Sequence, residues 1–183
     1  MLMIIGVTGT RSSGKGYIGE FLKSKGFVYL STSEEVRNEA RRRGLEITRS
    51  SLQVLARDMR KEFGGTIFAR KCIEKMQEGN NYFVDGIRNP TEIEELRKLK
   101  DFSLIAVDAP TKLRYERAKE RGEIDSLSWE HFLELDEIDN ANKDPEGQQN
   151  FLCMKMADFS IYNDCDESTF VNKIKEILEE IRS

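Results

Sequence analysis

The chain of 183 residues has a single histidine, His131, which excludes a histidine-based catalytic triad and any multi-histidine metal site. Its three cysteines, Cys72, Cys153 and Cys165, are far apart, odd in number and without C-x-x-C spacing. That pattern supports neither a disulfide framework nor a zinc ribbon, and it suits thiols kept in a reducing compartment. No apolar run approaches the ~18 residues that would suggest a membrane span. The start, Met1 to Val7, lacks a positive n-region and is too short for a signal peptide, so a cytoplasmic protein with no membrane association is expected. An excess of basic charge is missing as well. The net charge of -4 argues against sequence-independent binding of nucleic acid by the whole surface, though not against a local basic pocket. No internal repeat or linker divides the chain, so residues 1–183 are expected to form one domain around one core. Charged residues make up 34% of the chain and hydrophobic residues 38%, and the abundant Lys, Glu and Arg hint at heat tolerance.

What is present is organised around Gly9-Thr10-Arg11-Ser12-Ser13-Gly14-Lys15-Gly16-Tyr17. An apolar run at 2–7 reads as a buried strand before it, and 16–23 reads as a helix after it. Strand, glycine loop ending in Gly-Lys, then helix is the context in which a P-loop match carries a mechanism. Backbone N–H groups of the loop and the helix N-terminus form a concave site for a polyphosphate, and Lys15 can reach the outer phosphates. Gly16 stands where Ser or Thr usually holds Mg²⁺.

Four further apolar strands are expected at 27–30, 82–85, 103–108 and 159–163, separated by helical patterns. Helices are expected at 34–43, at 52–63 with Ser50 or Ser51 as cap and Leu52, Leu55, Met59 and Phe63 on one face, and at 66–76. Others are expected at 91–99 with Pro90 in the first turn, 112–121, 127–138, 151–156 and 167–182. This alternation predicts an α/β fold, a five-stranded parallel sheet with helices on both faces. Ligands of such sheets sit beyond the carboxyl ends of the strands. The P-loop, Ser31-Thr32, Asp85 to Arg88, Asp108 and Asn163 all fall at those ends.

Phosphoryl transfer asks for positioning and charge neutralisation. Arg37, one turn into the second helix, suits a substrate phosphate, the alternative being an exposed pair with Glu34. Asp85, closing an apolar strand, suits Mg²⁺ held directly or through water. Arg88 points over the same rim. Arg114, Arg117 and Arg121 share one helix face and suit a closing lid, the alternative being a salt-bridged face with Glu116, Glu120 and Glu123. The acidic stretch Glu134-Leu135-Asp136-Glu137-Ile138-Asp139 reads as a solvated face.

These motifs resemble the P-loop nucleoside monophosphate kinases. Gly14-Lys15-Gly16 is similar to the adenylate-kinase Gly-Lys-Gly, where Thr follows instead of Tyr17. Leu30-Ser31-Thr32-Ser33-Glu34-Glu35-Val36-Arg37 resembles the stretch whose Thr and Arg bind the acceptor, which maps onto Thr32 and Arg37. Val84-Asp85-Gly86-Ile87-Arg88 resembles the Asp-Gly-Phe-Pro-Arg segment with the arginine one place early. Arg117 and Arg121 match the spacing of the first two lid arginines, one at the donor adenine and one at phosphates. Ala157-Asp158-Phe159-Ser160-Ile161-Tyr162-Asn163 is similar to a segment of dephospho-coenzyme A kinase, and Asn163 is placed near the adenine on that basis. Over nearly the whole chain, Glu39-Ala40-Arg41-Arg42-Arg43-Gly44 and Asp85-Gly86-Ile87-Arg88-Asn89-Pro90 resemble a largely archaeal group of dephospho-coenzyme-A-kinase-like or nucleotide-kinase-like ATPases.

The resemblance implies a three-layer P-loop fold, an acceptor-binding insertion at about 32–78 and a lid at about 112–150. It implies ATP and Mg²⁺ as cofactors and transfer of the γ-phosphate to a nucleotide-type phosphate acceptor by a monomer or small homo-oligomer. Lys15, Arg117 and Arg121 would serve the transition state. Two alternatives stand beside it. One is a dephospho-coenzyme-A-kinase-like enzyme, whose ribose hydroxyl acceptor needs a base, with Glu34 and Glu35 the acids available before the second helix. The other is a nucleotide-binding sensor with weak or no kinase activity, because 122–150 has no arginine where adenylate kinases carry a second lid pair.

Overall fold

A computed structural model describes residues 2–122, 128–141 and 143–183. The elements follow as β1 (Ile4–Gly9), α1 (Lys15–Ser24), β2 (Val28–Ser31), α2 (Thr32–Arg42), α3 (Arg49–Phe63), α4 (Ile67–Ile73) and β3 (Tyr82–Asp85). They continue as α5 (Pro90–Leu96), β4 (Phe102–Asp108), α6 (Thr111–Glu120), α7 (Trp129–Asn140), α8 (Asn150–Lys155), β5 (Phe159–Tyr162) and α9 (Glu167–Arg182). All five strands are parallel, in the order β2-β3-β1-β4-β5. β1 therefore lies in the middle, and the chain leaves it between β3 and β4. That is where the carboxyl edge of a parallel sheet opens a crevice.

The strands are apolar on both faces because both faces are covered. Ile5, Val7, Ile105 and Val107 pack with Ile18, Leu22, Phe170 and Ile174 from α1 and α9. Val84, Leu104 and the β3–α5 residue Ile87 pack on the other face with Ile93, Leu96 and Cys153 from α5 and α8. Two smaller clusters stand beyond the sheet. Val36, Ala40, Leu55, Met59 and Phe68 join α2, α3 and α4 into a unit of their own. Ala118 and Phe132 join α6 to α7, with Tyr115 against them.

Several boundaries differ from the sequence expectation, each for a local reason. The cap of α3 is Thr48, not Ser50 or Ser51. Thr48 is extended and accepts the Ser51 N–H, while the Ser51 side chain returns a bond to the Thr48 backbone, a reciprocal capping box. Phe63 ends α3 beside Gly64 and is exposed instead of sharing the face of Leu55 and Met59. Pro90 is the first helical residue of α5, capped by Asn89. α7 starts at Trp129 with Ser128 as cap. Leu127, expected in that helix, and Glu123, expected to neighbour the α6 arginines, lie outside the described residues, as does Met1.

The largest departure is α7. Its acidic stretch is not a solvated face. Phe132, Asp136, Asp139 and Asn140 turn inward, while Leu133, Glu134, Glu137 and Ile138 are exposed. An inward acid is tolerated only with a partner, and Asp136 has one. The Arg114 guanidinium, itself 3% exposed, donates to both its oxygens at 2.5 and 2.8 Å. Arg114 is thus a buried brace between α6 and α7, not a free lid arginine. Removing one member of a buried pair strands the other, so Asp136→Ala should cost about 3–5 kcal/mol of stability. Glu137→Ala, one residue on and exposed, should stay within about 0.5 kcal/mol. Urea denaturation of the two variants checks the contrast.

Candidate functional site

The loop between β1 and α1 is held from beneath. Thr10 Oγ1 donates to Asp108 Oδ1 at 2.7 Å, Ser13 Oγ donates to the Thr10 carbonyl at 2.9 Å, and Asn163 Nδ2 donates to the Ser13 carbonyl at 2.8 Å. Two glycines permit this close approach. A Cβ on Gly9 (φ 137°) would sit 2.0 Å from the Val107 carbonyl oxygen, and one on Gly14 (φ 110°) would sit 2.2 Å from Asn163 Nδ2. Ser12 adopts φ 56° between them. The alternation turns successive N–H groups to one side, and α1 follows Gly14 as N-cap with no side-chain cap bond, so its first donors remain available to an anion.

Lys15 folds back over this loop, with Nζ donating to the carbonyls of Gly9 and Thr10 at 3.1 and 2.5 Å. Burial lowers its pKa from the ordinary 10.5 to about 8; Arg88 also lowers it, while Asp85 and Asp139 pull it up. Asp85 closes β3 and faces the same cleft. Its Oδ2 accepts a long bond from the Tyr29 hydroxyl at 3.4 Å, and its buried Oδ1 has no donor among the described residues. A carboxylate oxygen held in that way suits a cation or its bound water. Among the described residues no cluster of three His, Cys, Asp or Glu could hold a metal alone. Arg88 is positioned through its backbone: its N–H donates to Glu92 Oε2, and its carbonyl accepts from Gln149 N.

The structure gathers Arg11, Ser12, Ser13, Gly14, Lys15 and Gly16 with Thr32, Arg37, Asp85, Arg88 and Arg121 around one cleft of about 910 Å³. Gly9, Thr10, Arg117 and Asn163 stand behind the loop instead of lining the cleft. Arg117 donates to the Ser13 carbonyl and to Asn163 Oδ1, both at 3.4 Å. Arg121 donates to Ser12 Oγ at 2.6 Å. Tyr17 is half exposed and leaves the cleft altogether, its ring edge-on to Phe170. Thr32 is buried and donates to the Gly86 carbonyl at 2.6 Å, which ties the start of α2 to the turn after Asp85. Arg37 pairs with Glu34 at 3.3 Å, the exposed pairing that its sequence also allowed. Glu34 is held further by Arg41, and Glu35 by Lys75, so neither acid faces the cleft.

Residues not anticipated complete the walls. Asp139, 2% exposed, accepts from Arg49 at 2.6 Å, and from Gln53 and Arg11 at 3.5 Å. One carboxylate of α7 thus joins the P-loop to α3. Arg60, 5% exposed, donates to Glu92 and to the Glu146 carbonyl, while Asn89 Nδ2 donates to the carbonyls of Pro145 and Gly147. The signal for the α3 residues was present as Arg49, Gln53 and Arg57 at i, i+4 and i+8, away from the buried Leu55 and Met59.

A family model described as an AAA domain matches residues 5–141. The chain is 34% identical to a UPF0200/UPF0201 protein of Archaeoglobus fulgidus over 97% of its own length and 55% of that longer protein. It is 32% identical to a UPF0200 protein of Thermococcus onnurineus over 98% of each. The chain belongs to the AAA domain family and to the UPF0200 proteins. Among solved structures it is similar to dephospho-CoA kinase from Campylobacter jejuni, with a TM-score of 0.58, 21% identity, and 99% and 98% of the two chains covered. It is also similar to shikimate kinase from Aquifex aeolicus, with a TM-score of 0.52, 19% identity and 97% of each chain covered. At those identities the likeness concerns the fold, a kinase-like P-loop fold, as the motifs led one to expect. Among the described residues no helix is long and apolar enough to cross a membrane.

The lowered Lys15 has a measurable consequence. Below about 8 the lysine is charged whether the chain is folded or unfolded, and its burial cost is fully present. Between about 8 and 10.5 the unfolded chain holds the extra proton, so stability gains from Lys15 as pH rises through that window. The unfolding free energy of the wild type, measured relative to Lys15→Met, should climb across it; a flat difference would count against a buried Lys15.

Proposed function

We propose that the chain is an ATP-dependent kinase that moves the γ-phosphate to a nucleotide-type acceptor already bearing a phosphate. The observation that carries this reading is the placement of Lys15, Asp85 and Arg88 around one cleft at the mouth of the P-loop. The loop N–H groups from Arg11 to Tyr17 and the α1 N-terminus hold the donor phosphates. Lys15 exchanges the carbonyls of Gly9 and Thr10 for the outer phosphate oxygens, which compensate the charge that burial disfavours. Arg88, Arg37 and Thr32 hold the acceptor phosphate, with residues 32–78 as the acceptor-binding insertion. Residues 112–150 form the lid, from which Arg121 stabilises the transferring group, joined by Arg117 once it leaves the Ser13 carbonyl and Asn163. Arg117 and Asn163 border the adenine. Asp85 would hold Mg²⁺, directly or through water, in place of the hydroxyl ligand that Gly16 lacks, and the ion would supply neutralisation of the phosphate charge. A phosphate acceptor is already anionic and needs no dedicated base. The free thiols fit a cytoplasmic setting, and a monomer or small homo-oligomer fits a cleft lined from one chain.

A second reading, a hydroxyl acceptor, is favoured by the likeness to kinases named for dephospho-CoA and shikimate. The cleft acid with an unpartnered oxygen, Asp85, is then the candidate base, since Asp139 is held by Arg49 and Arg11, and Glu34 and Glu35 are engaged elsewhere. ADP release measured over nucleoside monophosphates and dephospho-CoA separates the two. Lys15→Ala should lower turnover on the active acceptor by at least about 10²-fold with the circular dichroism spectrum retained; full turnover in that variant sinks the kinase assignment. Tight ATP binding without transfer to any acceptor would identify a sensor instead.

Asp85→Asn keeps the size of the side chain and removes its charge. It should raise the Mg²⁺ concentration needed for half-maximal rate by about tenfold, the loss of one charge-assisted contact. A Mg²⁺ titration of both proteins reads this directly, and an unchanged midpoint would remove Asp85 from the metal site.

A further inference from the structure

Arg88 is fastened by its backbone and left open at its guanidinium. Its N–H donates to Glu92 Oε2 at 3.0 Å, and its carbonyl accepts from Gln149 N at 2.8 Å. Its side chain lines the cleft, and among the described residues no hydrogen bond or ion pair engages the guanidinium. The group that sets the peptide, Glu92 on α5, is wholly buried. Helix capping accounts for one of its bonds, the 3.3 Å acceptance from the Asn89 N–H. It does not account for the shorter bond to Arg88, nor for Oε1, which takes the Arg60 guanidinium at 2.9 Å. Arg60 comes from α3, is buried, and lies over the Phe68 ring of α4 at 5.5 Å. It borders the cleft, yet both its terminal nitrogens are committed, the second to the Glu146 carbonyl at 3.0 Å. The carbonyls on either side, of Pro145 and Gly147, take Asn89 Nδ2 at 2.7 and 3.0 Å. Successive carbonyls between α7 and α8 are thus held by two buried side chains, one adjacent to Arg88 and one joined to it through Glu92.

We infer that Glu92 and Arg60 are positioning residues for Arg88. The pair fixes the Arg88 peptide and fastens it at once to α3 and to residues 145–147, so that the guanidinium meets an anion in the cleft when both of those walls are in place. The assignment of that anion to an acceptor phosphate rests on the kinase reading; the positioning itself needs only an anion that Arg88 can bind. Because Glu92 touches the peptide, losing its bond leaves the Arg88 side chain intact and frees the main chain that carries it. A misplacement of about 1 Å is enough to cost a positioned group much of its effect. The fork of an arginine is what position 60 requires, since one nitrogen serves the carboxylate and the other a carbonyl, and a point charge does not reproduce that.

The test is a titration of the full chain with inorganic phosphate, with and without saturating ADP and Mg²⁺, followed by nuclear magnetic resonance. The reporters are the Arg88 side-chain Nε–H and the backbone amides of residues 12–15. Glu92→Gln keeps the size of the side chain and an oxygen for the N–H groups of Arg88 and Asn89, but turns an amide NH₂ toward Arg60. It should raise the phosphate midpoint read at Arg88 by about tenfold, equivalent to one charge-assisted contact, and leave the ADP midpoint read at residues 12–15 unchanged. Arg60→Met alone strands a buried carboxylate, so it is combined with Glu92→Gln, which removes both charges together; the double variant should show the same weakening. Arg60→Lys should weaken phosphate binding less than Glu92→Gln does. Ile174→Ala, which thins the core on the other face of the sheet, controls for lost stability: it should lower the melting temperature and leave the phosphate midpoint in place. The inference is overturned if the double variant keeps the wild-type midpoint at Arg88, if Ile174→Ala shifts that midpoint as far, or if phosphate does not move the wild-type Arg88 signal. Failure of ADP to shift the amides of residues 12–15 would instead sink the kinase reading, and the phosphate comparison, made also without ADP, is read independently of it.

Discussion

Like charge drawn into one cleft is the constraint on which this structure turns. The cleft is lined by eight basic residues and three acidic ones, in a chain whose net charge is -4. Without an anion present, that density is self-repelling; at Lys15 burial first, and the Arg88 charge after it, bring the pKa down to about 8. The chain answers with carboxylates placed from outside the P-loop. Asp85 comes from β3, Asp139 comes from α7, and Asp136 neutralises Arg114 just behind. These acids do not compete for the loop's own N–H groups, which stay open to phosphate. The arrangement keeps a cation-rich site folded before its ligand arrives, and leaves the ligand to supply the remaining negative charge.

The same pairs do mechanical work. Asp139 joins the P-loop to α3, and Arg114–Asp136 joins α6 to α7. Glu92 accepts from Arg60, Arg88 N and Asn89 N, while Asn89 and Arg60 together grip the carbonyls at 145–147. The Arg88-Asn89-Pro90 stretch is therefore more than a binding arginine. Asn89 caps α5 and clasps the far wall at once, so the arginine beside it is aimed by backbone bonds on both sides. Phe170 and Asn163 do the equivalent for the P-loop, one as apolar support under Gly14 and the other as a hydrogen-bonding strut.

How much of this was legible beforehand follows from the range of each interaction. The strand–loop–helix of the P-loop, the sheet and the closing helix are written in local periodicity and in glycines that admit positive φ, and they were read correctly. The cap of α3 lies two or three residues before the expected Ser50 or Ser51, because Thr48, Ser50 and Ser51 offer equivalent hydroxyls and backbone geometry alone chooses Thr48. The acidic face of α7 was read as solvated because its partners, Arg11, Arg49 and Arg114, lie 22 to 128 residues away. Tyr17 was grouped with the loop by position, yet the turn of the helix sends it to Phe170.

What the sequence by itself determined is the fold, the location of the phosphate-receptive loop, and the strand ends that surround it. Those depend on hydrophobic pattern, turn chemistry and capping, which act over a few residues. Only the tertiary structure decided which charges meet. It set Asp139 between two arginines, buried Arg114, bound Arg37 to Glu34 and moved Arg117 behind the loop. The physical reason is that a charge is indifferent to sequence distance. Its role is set by what burial brings within a few ångströms, and burial is a property of the whole fold.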